Sequence, residues 1–221
     1  MTNIDETIKD IKTQCRLAMN GAVSAAMRER GIVYKLNFGV EYPRIKAIAR
    51  QYEPDHDLAS ALWKSGIREL QIMAGLMQPV ETMLPEIASI WIDDITNCEL
   101  AEMTSMNLFC RLPYAPVEAL RWVAADDEMR QYCGYLTITR LLGRGTQYNE
   151  RAVHELIDQA ISAALGEAVW PRQGAVGVLK ELAAQSPEQS RAVMSAVNAY
   201  AAHGKPLWEE LRTQLRYAAA Q

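Results

Sequence analysis

Apolar residues recur at spacings of three and four from one end of the chain to the other, and alternating apolar and polar runs between hairpin turns are missing. That period belongs to helices burying one face, so the expected class is all-α. Residues 4–30 read as one long helix with Met19, Val23, Ala26 and Met27 on its apolar stripe, ending at Gly31, a residue suited to the left-handed conformation that closes helices. Pro43 suits the first turn of a helix through residue 52, Asp55 caps 57–64, Ser65 or Gly66 opens 67–77, and Pro85 starts 85–92. Thr96 or Asn97 caps 99–112, Pro113 and Pro116 precede 117–124, and Asp126 or Asp127 caps a helix running to 142. After Gly143-Arg144-Gly145, helices are expected over 149–165, 171–184, 187–202 and 206–218.

Short connections between so many helices imply antiparallel neighbours. The five tryptophans, Trp63, Trp91, Trp122, Trp170 and Trp208, lie about 36 residues apart on average, close to the period of two-helix repeats. The architecture this predicts is a HEAT-like α-solenoid, a superhelix of antiparallel helix pairs forming one domain over residues 1–221, with an irregular bundle as the alternative. Such a stack presents a groove suited to a polymer, either nucleic acid or protein. Trp63, Trp91 and Trp122 sit in apolar helical patterns and read as core anchors, Trp208 and Tyr217 as end-cap packing, and Met73, Met77 and Met83 as gap-fillers.

The 23 basic against 27 acidic residues leave a net charge of −4, so a polyanion site has to be a local patch. Arg130, Arg140, Arg144 and Arg172, with Lys64 and Arg68, form a basic stripe if successive repeats present one edge to the same side; otherwise they are solvated charges. Lys35 and Asn37, in the loop before Phe38, are further candidates for a phosphate contact. Cys15, Cys98, Cys110 and Cys133 form no C-x-x-C pair, the first residues lack a signal-peptide layout, and no apolar run reaches the ~18–20 residues of a membrane span. A reduced, cytoplasmic protein without a membrane partner is expected. His56, His154 and His203 stand apart with no zinc spacing, so no metal and no cofactor is expected. Gly143-x-Gly145 lacks the Lys-Ser or Lys-Thr of a phosphate loop. Glu99 and Glu102, three residues apart, share a helix face near its start, where acidic residues also complement the helix dipole.

Several segments together resemble the AlkD-like DNA alkylation repair family of HEAT-like helical proteins. The resemblance rests on Tyr34-x-x-x-Phe38-Gly39-Val40-x-x-Pro43-x-Ile45-x-x-Ile48-Ala49, then Leu58-Ala59-x-x-Leu62-Trp63-x-Ser65-Gly66-Ile67-Arg68-Glu69, and Ile72-x-Ala74 with Pro79. It extends more diffusely through Trp122, Gly134-Tyr135-Leu136 and Val178-Leu179-Lys180-Glu181. It implies a DNA glycosylase that hydrolyses the N-glycosidic bond of cationic N3- or N7-alkylated purines in duplex DNA, held by its phosphates. On this resemblance Glu102 takes the catalytic carboxylate position and Glu99 the adjacent acidic one, while Lys64, Arg130, Arg144 and Arg172 are the candidate DNA-binding residues. Cys98 stands where the family has one aromatic and Gly177 where it has a second, with Trp170 seven residues away. The alternatives are a non-catalytic HEAT-like nucleic-acid-binding module and a protein-interaction scaffold.

Overall fold

A computed structural model of the chain describes residues 4–200 and 205–218. Thirteen α-helices are present among them and no strand; Leu36 and Ile67 form an isolated parallel bridge. The chain divides into two compact units, Met1–Leu112 and Pro113–Gln221.

The first unit holds α1 (Ile4–Leu17), α2 (Gly21–Glu29), α3 (Tyr42–Ala49), α4 (His56–Lys64), α5 (Arg68–Met77), α6 (Pro85–Asp93) and α7 (Cys98–Asn107). The single helix expected over 4–30 is two. Asn20 breaks it, because its side chain accepts the Ala22 and Val23 N–H groups as the cap of α2 while its own N–H donates to Phe38 O at 2.8 Å. Gly39, at φ 72°, presses on this corner so closely that a Cβ would lie 2.1 Å from Asn20 O. The break turns Met19 out of the expected stripe, leaving it 61% exposed. Gly31, at φ 79°, follows α2 as expected. The helix expected to reach 112 stops at Asn107 and gives way to a 3-10 turn, Phe109–Arg111, that buries Phe109 and Cys110. At the centre lies α5, buried along nearly its whole length and packed on α3, α4 and α7. Trp63 stacks on Trp91 with centroids 4.2 Å apart, and its indole N–H donates to Asp94 at 2.9 Å, so these two rings are core anchors.

The second unit holds α8 (Ala115–Val123), α9 (Glu128–Leu142), α10 (Glu150–Ala164), α11 (Val169–Gln185), α12 (Pro187–Ala199) and α13 (Pro206–Ala218). Two glycines let its helices approach closely. A Cβ on Gly134 would lie 2.8 Å from Val123 N on α8, and one on Gly174 would lie 2.7 Å from the Tyr135 Cβ on α9. The contacts also fix direction. Gly174 meets Tyr135, Gly177 meets Thr139 and Gly143 meets Glu181, so α9 and α11 run parallel with partners 38 or 39 residues apart. That offset, one helix pair later in sequence and in space, is close to the period of a HEAT-like repeat. Trp208 closes this unit, its N–H donating to Val197 O at 2.9 Å and the Arg212 guanidinium lying 4.7 Å from its ring centre. Residue 202, the expected end of α12, lies outside the described residues.

Candidate nucleic-acid interface

The two carboxylates at the start of α7 have different surroundings. Asn97 sets the helix start by accepting the Leu100 N–H at 3.0 Å, and its amide donates to Val33 O at 3.3 Å. One residue into α7, Glu99 receives Arg68 Nε and Nη2 at 2.7–3.1 Å and the Tyr34 hydroxyl at 2.8 Å. Arg68 also donates through Nη1 to Val40 O at 2.8 Å and to Glu69 at 3.0 Å. Glu69, fully buried, accepts the N–H groups of Phe38 at 3.2 Å and Val40 at 3.1 Å. One guanidinium and two carboxylates thus clamp the loop over residues 33–40 onto α5 and α7. Burial opposes the Arg68 charge, but the hydrogen bonds and charge of Glu99, then of Glu69, outweigh it and hold its pKa above the ordinary value. Burial, followed by the Glu99 charge, pushes the Tyr34 phenol well up.

Arg68 is therefore removed from the basic stripe anticipated for it: its side chain is 7% exposed and committed to the clamp. Tyr34 and Glu69, which had no assigned role, belong to the same network. The available signal was a charged Arg-Glu pair opening an otherwise mostly apolar segment, Leu70-Gln71-Ile72-Met73-Ala74.

Glu102 stands one turn beyond Glu99, half-buried and outside the Arg68 clamp. It is four residues from Cys98, whose thiol pKa is raised by burial first and by the Glu102 charge second. A raised thiol pKa lowers the fraction of thiolate, the nucleophilic form.

Among the candidate cations, Lys64 is exposed at the end of α4 in the first unit. The other three lie in the second. Arg130 is half-buried in the first turn of α9, and Arg172, near the start of α11, donates to Gly166 O at 3.4 Å. The parallel register of α9 and α11 brings Arg130 and Arg172 to the same end of the pair. Arg144 follows the other end of α9, about 21 Å further along the axis at 1.5 Å per residue. Lys35 is exposed with its stem against Gly66, and the Asn37 side chain accepts the Gly39 N–H at 2.7 Å. His56 Nδ1 lies 3.1 Å from Gln78 Oε1, His154 is exposed on α10, and His203 lies outside the described residues. No group of three metal-ligating side chains occurs among the described residues, and no helix among them is long and apolar enough to cross a membrane.

The parallel α9–α11 pair at a repeat-length offset, with no strand among the described residues, marks a helical-repeat protein. The sequence matches the DNA alkylation repair enzyme family over residues 15–220, and the chain belongs to that family. A solved structure described as representing a family related to the HEAT-like repeat DNA glycosylases, with affinity for branched DNA structures, has the same fold. The TM-score is 0.80 at 16% identity, over 96% of this chain and 94% of that one. No curated relative matches the chain. The all-α, HEAT-like fold and the family resemblance expected from the sequence are thus established.

Proposed function

We propose that this member of the family binds DNA, with preference for branched structures, and does not excise bases. The observation that carries the reading is the clamp: Glu99, the acidic residue beside the expected catalytic position, is held by Arg68 and Tyr34, and its charge steadies a loop. Cleaving the glycosidic bond of a cationic purine requires a carboxylate placed within about an ångström of its optimum beside the developing sugar cation. Aromatic faces help hold that cation, worth about 0.5–2 kcal/mol each. Cys98 and Gly177, at the positions the resemblance reserves for aromatics, supply no such face. The affinity for branched DNA in the relative of similar fold supports the choice of ligand. Lys64, Arg130, Arg144 and Arg172 are the cations assigned to phosphates.

A second reading, excision of alkylated purines from duplex DNA, is favoured by Glu102, which is half-buried on α7 and takes no part in the Arg68 hydrogen bonds. The two readings part in one experiment. Methylated duplex DNA is incubated with the protein and with Glu102→Gln, and free 7-methylguanine and 3-methyladenine are quantified. No release above the protein-free rate is expected from either. Release by the parent chain that Glu102→Gln abolishes overturns the non-catalytic reading.

A further inference from the structure

In the second unit, α11 and α13 enclose a cleft of about 410 Å3, within the ~300–1,000 Å3 range of small-ligand sites. Its chemistry is graded along its length. Arg172 and Lys180 border it from α11, eight residues apart, or about 12 Å along the helix. Both are half-buried, and among the described residues neither is ion-paired with a carboxylate. Val176 lies between them on α11, and Leu207 and Leu211 line the cleft from α13. Gln173 and Gln214 add amide groups, and Glu210, tied to Gln214 by a 3.0 Å hydrogen bond, adds an acceptor.

The floor of this cleft is opened by a glycine that packing does not require. A glycine inside a helix costs roughly 0.5–1 kcal/mol relative to alanine. At Gly134 and Gly174 that cost has a steric reason, because a Cβ would come within 2.8 and 2.7 Å of neighbouring atoms. At Gly177 a Cβ would meet only Thr139 Oγ1, at an ordinary 3.6 Å. Gly177 lines the cleft on its α9 side, so the missing side chain leaves the α11 wall bare there.

Cation, apolar slot with amides, cation is the order in which a single strand presents phosphate, base, phosphate. Proteins that hold single strands combine cations along the backbone with apolar or aromatic platforms for the bases. A paired base is stacked inside its duplex, whereas an unpaired one at a branch point enters a slot at the lowest unstacking cost. We propose that the α11–α13 cleft is a pocket for one unpaired nucleotide, with Arg172 and Lys180 on its flanking phosphates and its base over Gly177. The amides and the Glu210 carboxylate then face the base edge, where the carboxylate accepts from an exocyclic amine. This inference rests on the branched-DNA reading and extends it to a defined subsite.

The test uses the full chain and a flapped duplex carrying 2-aminopurine at the unpaired nucleotide next to the branch, with the continuous duplex alongside. The parent chain is expected to raise 2-aminopurine fluorescence as the base leaves its stack for a non-aromatic slot. Gly177→Leu adds a side chain to the wall of the slot, and the flap-to-duplex affinity ratio is expected to fall about tenfold or more with loss of the fluorescence rise. Lys180→Gln is expected to lower the slope of log affinity against log salt by about one on the flap. An unchanged circular dichroism spectrum together with an unchanged thermal midpoint certifies the fold of Gly177→Leu. If the parent chain prefers the flap and both variants behave like it, the pocket is refuted while the branched-DNA reading stands. If the parent chain shows no preference for the flap, that reading fails and this inference with it.

Discussion

Arg68→Met removes the only cation of the buried clamp without changing its volume much, and the structure sets the size of the effect. Glu69 is 0% exposed in its side chain and Glu99 16%, so both carboxylates are left in a poorly hydrated setting without their counter-charge. The Val40 carbonyl loses its guanidinium donor as well. Removing one partner of a buried ion pair costs about 3–5 kcal/mol. Glu69 keeps the Phe38 and Val40 N–H groups, which holds the cost to that range. Against a domain stability of about 5–15 kcal/mol this is a large share. With an m-value of about 2 kcal/mol/M, the urea midpoint, followed by tryptophan fluorescence, is expected to drop by about 1.5–2.5 M. Replacing all three charges together, as Arg68→Met, Glu69→Gln and Glu99→Gln, is expected to cost less than the single change, because no uncompensated charge remains. A loss under about 1 kcal/mol for Arg68→Met would refute the reasoning that the clamp fixes the 33–40 loop.

Three further outcomes are expected. Gly134→Ala and Gly174→Ala each destabilise by about 1–3 kcal/mol through overpacking, whereas Gly177→Ala leaves thermal stability equal or slightly higher; thermal unfolding of the three variants compares them directly. Burial pushes Tyr135 and Tyr148 up to about 12 and Tyr34 further in the same direction. Between the unfolded value of ~10 and these raised values the folded chain binds more protons, so stability is fully present below about pH 10 and falls as pH rises above it; urea titrations from pH 8 to 11 should show that decline. Cys98, with its pKa raised, should react with iodoacetamide at pH 8 more slowly than free cysteine, and Glu102→Gln should speed it; mass spectrometry of the modified peptide reads both.

Local chemistry made much of the fold legible in the sequence. Asp55, Asn97, Asp127 and Asn149 each cap the helix that follows, and Pro85, Pro187 and Pro206 each open one, because capping depends on groups within a few residues. Asn20 was not recognisable as a cap inside an unbroken run of helical spacing, since part of what holds it is the Phe38 carbonyl eighteen residues on. The continuation of the 99–112 pattern past Asn107 was equally deceptive: Phe109 and Cys110 are buried from a 3-10 turn, where apolar character alone gives no hint of the change in winding. The same limit applied to the candidate site. Arg68 and Glu99 are 31 residues apart, and the burial that turns a surface cation into the centre of a clamp is a tertiary property. Spacing placed Glu99 and Glu102 on a common helix face, but it held no information about which of them Arg68 would occupy.

The proposed function has this chain grip branched DNA through its phosphates while leaving the bases attached. Fluorescence anisotropy with a labelled four-way junction, competed by unlabelled linear duplex of equal length at two salt concentrations, tests it directly. Junction binding is expected to be at least tenfold tighter than duplex binding and to weaken as salt rises, because phosphate contacts release counterions. Equal affinity for junction and duplex, or binding indifferent to salt, would contradict it.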